Sequence, residues 1–155
     1  MKNITIIFFL MFSFFANAQN KKGTGNEKPV PTLDHIAFYV KNLDTSVKFY
    51  NKYFQLDSIK NPFKFGRVKW FKVNPGIQFH LIEGAKEKVV IPEFSHLCFS
   101  IKSLTNFIKE LKQNGVSYYD SAGKKNGVNH RPDGISQIFI QDPDGYWVEI
   151  NDVVH

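Results

Sequence analysis

Cysteine is nearly missing from these 155 residues: Cys98 stands alone, which excludes an internal disulfide. Its neighbours alternate as in a strand, so a small buried residue is expected there in preference to a nucleophile. Gln19, not cysteine, immediately follows Ala18, so no lipoprotein attachment point is expected there. Long apolar runs are also lacking, since the stretch over 4–16 falls short of the roughly 20 residues that span a bilayer. Acidic residues number 14 against 20 Lys and Arg. The lysines are scattered and not clustered with stacking aromatics, so a nucleic-acid partner is not indicated and a mildly basic, solvated surface is expected.

The first residues read as an address. Met1-Lys2-Asn3, the apolar stretch and the small-residue site Ala16-Asn17-Ala18 predict a secretory signal over 1–18, with export to the periplasm or the exterior. Residues 19–31 carry Lys, Gly and Pro without apolar periodicity and predict a flexible leader. Residues 32–155 then form one domain, large enough for one core. Without Lys2 the mature chain has a net charge of +5.

Within that domain the sequence repeats at an offset of 61 residues. Leu33-Asp34-His35-Ile36-Ala37-Phe38-Tyr39-Val40 is echoed by Phe94-Ser95-His96-Leu97-Cys98-Phe99-Ser100-Ile101, with a histidine at the same place in each copy. The chain has only 5 histidines, so composition alone would produce that match roughly three times in a hundred. A duplicated unit with a duplicated ligand-type residue points to a site between two pseudo-symmetric halves.

Alternation orients these residues. A strand over 33–40 puts His35, Ala37 and Tyr39 on one face and Ile36, Phe38 and Val40 on the other. Asp44 is expected to cap a helix through about Phe54, with Val47, Tyr50 and Phe54 as its apolar stripe. In the second copy Ser103 caps a helix with the stripe Leu104, Phe107, Ile108 and Leu111, stopped by Gly115. His96, Cys98 and Ser100 then face away from it. Further strands are expected over 57–60, 67–74 and 77–83, and over 116–120, 136–141 and 146–151. Turns at Asn74-Pro75-Gly76 and Asp142-Pro143-Asp144-Gly145 join hairpins. By the same parity His80 opposes Ile77, Phe79 and Leu81, while Trp147, Glu149 and Asn151 oppose Val148 and Ile150. The pattern is α+β: two tandem βαβββ modules with helices outside and one open, concave face.

These pieces, above all Gln137-Ile138-Phe139-Ile140-Gln141-Asp142-Pro143-Asp144-Gly145-Tyr146-Trp147-Val148-Glu149-Ile150, resemble the vicinal oxygen chelate superfamily. That group includes glyoxalases, bleomycin- and fosfomycin-resistance proteins, methylmalonyl-CoA epimerases and extradiol dioxygenases. The resemblance implies paired modules curved into a cup around a divalent metal, Fe, Zn, Ni or Mn, with ligands at His35, His80, His96 and Glu149. It implies a small substrate bound through neighbouring oxygens, with Glu149 and His80 as the acid/base groups. It also allows a homodimer whose cup mixes both chains. Independently of the family, a carboxylate buried at Glu149 among aromatics would cost several kcal/mol unless paired, which a dication relieves. The resemblance also puts the loop over 126–134 near the site, which makes Arg131 and His130 candidates to clamp an anionic substrate group, with a solvated loop that merely turns the chain at Pro132-Asp133-Gly134 as the equal alternative. Trp147, Tyr39 and Phe71 are candidates for an apolar platform under a ring.

Histidine at position 80 departs from bacterial lactoylglutathione lyases, which the resemblance expects to carry a carboxylate there. That departure, with export away from cytoplasmic thiol substrates, weighs against a plain glyoxalase. An exported lyase, isomerase or dioxygenase is the leading expectation, with a metal-free sequestering protein of the bleomycin-resistance type as the alternative.

Overall fold

The structure is a computed structural model that describes residues 29–64 and 66–154. The signal segment and nearly all of the leader lie outside the described residues. From Thr32 onwards the chain is one compact unit. Its elements run β1 (His35–Val40), α1 (Leu43–Phe54), β2 (Asp57–Ile59), β3 (Val68–Asn74), β4 (Ile77–Glu83), β5 (His96–Ser100), α2 (Leu104–Gln113), β6 (Asn129–His130), β7 (Ser136–Gln141) and β8 (Trp147–Asn151). This is the expected pair of βαβββ modules. Each forms a four-stranded mixed sheet, ordered β1-β4-β3-β2 and β5-β8-β7-β6, with a parallel pair at β1/β4 and at β5/β8. In both sheets the first strand of the module is an edge.

Two local expectations are corrected. Asn42 caps α1, not Asp44: its backbone is extended and its side chain accepts the Thr45 N–H at 2.9 Å. Asp44 instead sits in the first turn, where its charge suits the helix dipole, and pairs with Arg67 at 2.9 Å. Residues 116–120 form no strand. Tyr119 alone bridges to Lys125 and Phe139 before Asp120 turns the chain by accepting from the N–H groups of Ala122 and Lys124. The second module's short outer strand is β6, drawn from the loop over 126–134.

Strand alternation sorts the core from the open faces. Val40, Phe79, Leu81, Ile138, Ile140, Val148 and Ile150 are fully buried with Tyr50 and Leu111 of the helices. Each such side chain contributes about 1.5–3 kcal/mol relative to exposure. His35, Ala37, Tyr39, His96, Cys98 and Ser100, at the opposite parity of the two edge strands, are exposed.

The modules are joined where the Asp142-Pro143-Asp144-Gly145 turn meets α1. Asp144 accepts from Lys41 N at 2.7 Å and Ser46 Oγ at 2.6 Å, and Asp142 accepts from Tyr50 Oη at 2.9 Å. Tyr146 stacks on Phe38 at 3.9 Å, and its hydroxyl lies 3.2 Å from Tyr39 N at the edge of β1. Gly145 has φ +91°, and a Cβ there would meet Val89 O at 2.5 Å, so both conformation and space demand glycine.

Burial pushes the Asp142 carboxyl up from 3.8 to about 6, although Tyr50 and two backbone N–H groups oppose this. Between these values the unfolded chain has lost the proton and the folded chain keeps it. This group therefore favours folding most below pH 4, and that contribution is lost as pH rises through 6. Asp142→Asn should keep the turn and remove this slope. Urea midpoints at pH 4.5 and 7 should differ more in the wild type than in the variant, and equal differences would contradict the assignment.

Candidate functional site

The first half of the site is a ladder of three rings on the open face of sheet β1-β4-β3-β2. His80 pairs across β4 with Ala37 of β1 and Trp70 of β3. Its imidazole is sandwiched between His35, with centroids 4.6 Å apart, and Trp70, at 4.0 Å, all nearly parallel. Phe63 packs edge-on against Trp70. His80 is only 7% exposed. Burial first, then the neighbouring His35, holds its pKa below the usual histidine value. As placed, Gln78 Oε1 lies 2.9 Å from His80 Nε2, which assigns the proton to that nitrogen. His35 Nδ1 lies 2.6 Å from Asp34 Oδ2, so its proton faces the carboxylate and the lone pair of the neutral ring is left at Nε2.

The second half lies on the open face of the other sheet. His96 Nδ1 is 2.8 Å from the carbonyl of Glu93, which can only accept, so Nδ1 carries the proton. The lone pair of neutral His96 at Nε2 then faces Glu149 Oε2 at 3.2 Å. Glu149 is buried, and its Oε1 lies near Asn151 Nδ2 at 3.1 Å and Cys98 Sγ at 3.3 Å. Phe139 meets His96 edge-on at 5.2 Å. Oε1 of Glu93 is buried without a hydrogen-bond partner, and burial, then Asp120, raises the Glu93 pKa.

The four expected ligands are thus brought together as two pairs, His35 with His80 and His96 with Glu149. Among the described residues no group of three or more His, Cys, Asp or Glu is arranged to hold a metal ion. The donor chemistry of the second pair nonetheless fits a cation. A lone pair and a carboxylate oxygen 3.2 Å apart repel unless a proton or a metal lies between them. His35 Nε2 is the corresponding open nitrogen on the other half.

The remaining site candidates divide. Arg131 pairs with Asp133, and its charge reaches Cys98, on the same face as Glu149. His130 is exposed, with Nδ1 3.0 Å from Ser136 Oγ. Trp147 donates from Nε1 to Ile91 O at 3.2 Å and meets Tyr119 edge-on. Tyr39 lies over Gly84, where a Cβ would sit 2.2 Å from its hydroxyl oxygen. Phe71 is corrected to the core: it is fully buried beside Phe79, on the helix side of its strand. Its neighbour Trp70 takes the place facing the site: carried on from Asn74 opposite Ile77, the hairpin register would set Phe71 against His80, and a β-bulge between Lys72 and Asn74 shifts the pairing to Trp70.

Cys98 is corrected as well. It is exposed on the open face, with its sulfur held between Glu149 and Asn151. Burial of the sulfur, then the hydrogen bond and charge of Glu149, push the thiol up to about 12, with Arg131 opposing.

The model described as the Glyoxalase/Bleomycin resistance protein/Dioxygenase superfamily matches residues 32–150. The chain is 25% identical to Glyoxylase I 4 of Arabidopsis thaliana over 136 residues, covering 84% of this chain and 75% of that protein. Its fold resembles the fosfomycin resistance protein FosX of Listeria monocytogenes, with a TM-score of 0.62 at 21% identity over 81% of this chain and 96% of the other. The lactoylglutathione lyase of Agrobacterium tumefaciens gives a TM-score of 0.57 at 20% identity over 81% and 96%.

Proposed function

We propose, from the premise that this chain belongs to the Glyoxalase/Bleomycin resistance protein/Dioxygenase superfamily, that it is an exported, divalent-metal-dependent enzyme acting on a small oxygenated substrate. His35, His96 and Glu149 would hold the ion, a two-histidine, one-carboxylate set that suits Fe, Zn, Ni or Mn. One observation carries this: the unprotonated nitrogen of His96 and a carboxylate oxygen of Glu149 face each other at 3.2 Å. Export rests on the signal-like residues 1–18.

Bound there, the ion supplies Lewis-acid stabilisation for negative charge developing on neighbouring substrate oxygens. The chain's own groups do the rest. His80, locked between the rings of His35 and Trp70, offers an imidazole of fixed orientation as acid or base. Arg131 brings positive charge to the face that carries Glu149, which suits an anionic substrate group. Glu93 O holds the His96 tautomer that leaves Nε2 free.

The two pairs lie on the open faces of separate sheets, each beside an unpaired edge strand. This favours a homodimer in which the His35/His80 half of one copy meets the His96/Glu149 half of a second. Elemental analysis of protein purified without chelators should find stoichiometric metal, lost in Glu149→Ala and in the His35→Ala, His96→Ala double variant. Equal, negligible metal in all three would sink the proposal, and tight ligand binding by such metal-free protein would favour a sequestering role.

A further inference from the structure

The two oxygens of Glu149 have different surroundings. Parallel register sets Cys98 opposite Glu149 and Ser100 opposite Asn151, so Cys98, Glu149 and Asn151 share one face. Asn151 Oδ1 accepts the Val153 N–H at 3.3 Å, which settles its amide orientation and turns Nδ2 toward the other two. From Nδ2 one bond runs to Glu149 Oε1 at 3.1 Å and a second to Cys98 Sγ at 3.1 Å. The sulfur in turn donates its own proton to Oε1 at 3.3 Å. Each member of this closed triangle is oriented by the other two. Oε1 therefore receives two donors, while among the described residues Oε2 faces His96 Nε2.

We infer that Cys98 and Asn151 are positioning residues that lock Oε1 of Glu149, so that this carboxylate is presented to any bound group through Oε2 alone. Neither would be a ligand. The consequence for a metal rests on the function proposed above, whereas the lock itself does not. Partners that orient a ligand in this way typically control affinity by about 10–100-fold.

The single cysteine makes the test clean, because the full chain has one S–H stretching band in its Raman spectrum. In metal-free protein that band should sit at the lowered frequency of a hydrogen-bonded thiol, and it should return to the free-thiol position in Glu149→Ala. Zn²⁺ affinity, measured by competition with a chromophoric chelator, should fall about 10-fold or more in Cys98→Ala. Cys98→Ser, whose hydroxyl donates to the same oxygen, should restore most of it. Co²⁺-loaded wild type should lack a thiolate charge-transfer band. A free-thiol band in the wild type, unchanged Zn²⁺ affinity in Cys98→Ala, or a thiolate–cobalt band would each overturn the inference. Wild type that keeps the lowered S–H band but takes no metal would support the lock while overturning the metalloenzyme proposal.

Discussion

Mixing His35→Ala protein with His96→Ala protein should restore metal binding that neither variant retains alone. His35 lies on β1 beside His80, and His96 lies on β5 beside Glu149, and each pair belongs to a separate sheet with an open edge. If every complete site draws one pair from each of two copies, a mixed dimer has one site lacking both histidines and one intact. Random re-association makes about half of the dimers mixed, so about a quarter of the wild-type sites should return. The variants are refolded together from denaturant, dialysed against Zn²⁺ and analysed for bound metal. Recovery no greater than the sum of the separate variants would mean that each site is closed within a single chain.

Phe79→Ala should cost about 3–5 kcal/mol, a large share of the 5–15 kcal/mol that holds a typical domain together. The ring is fully buried and meets Phe38 edge-on at 5.1 Å, Tyr50 at 4.7 Å and Phe71 at 6.3 Å. It thereby ties β1, α1 and β3 to β4, so truncation strips packing contacts from three neighbouring elements at once. Equilibrium urea unfolding followed by far-UV circular dichroism reads the loss directly. A change below about 1 kcal/mol would mean that the neighbouring rings collapse into the space.

These expectations rest on different layers of information. The alternation of Ile36, Phe38 and Val40 with His35, Ala37 and Tyr39 is present in the chain itself, and the observed burial follows it. The same holds for Val148 and Ile150 against Glu149 and Asn151, because a strand has only two faces and the apolar one must be covered. Alternation also placed Cys98 opposite Phe99, yet it could not say whether that face would be covered. Covering depends on what packs against the strand, and among the described residues the open side of β5 stays exposed at His96, Cys98 and Ser100. Phe71 was ambiguous for a related reason: aromatic residues at both parities of β3 suit a core or a site equally well. The cap of α1 turned on one residue, since Asn42 and Asp44 both have capping side chains and only the extended backbone at Asn42 separates them.

By itself the sequence determined the duplicated βαβββ unit, the strand parity, and the assignment of His35, His80, His96 and Glu149 to faces turned away from the helices. Those are local properties, set by a two-residue period and by where turns and caps fall. Only the tertiary structure decided that the four divide into two pairs, that Trp70 completes the ring ladder over His80, and that Cys98 and Asn151 converge on one oxygen of Glu149. Pairing of this kind depends on which strands become neighbours and how two modules dock, and a period along one chain carries no record of distances between strands.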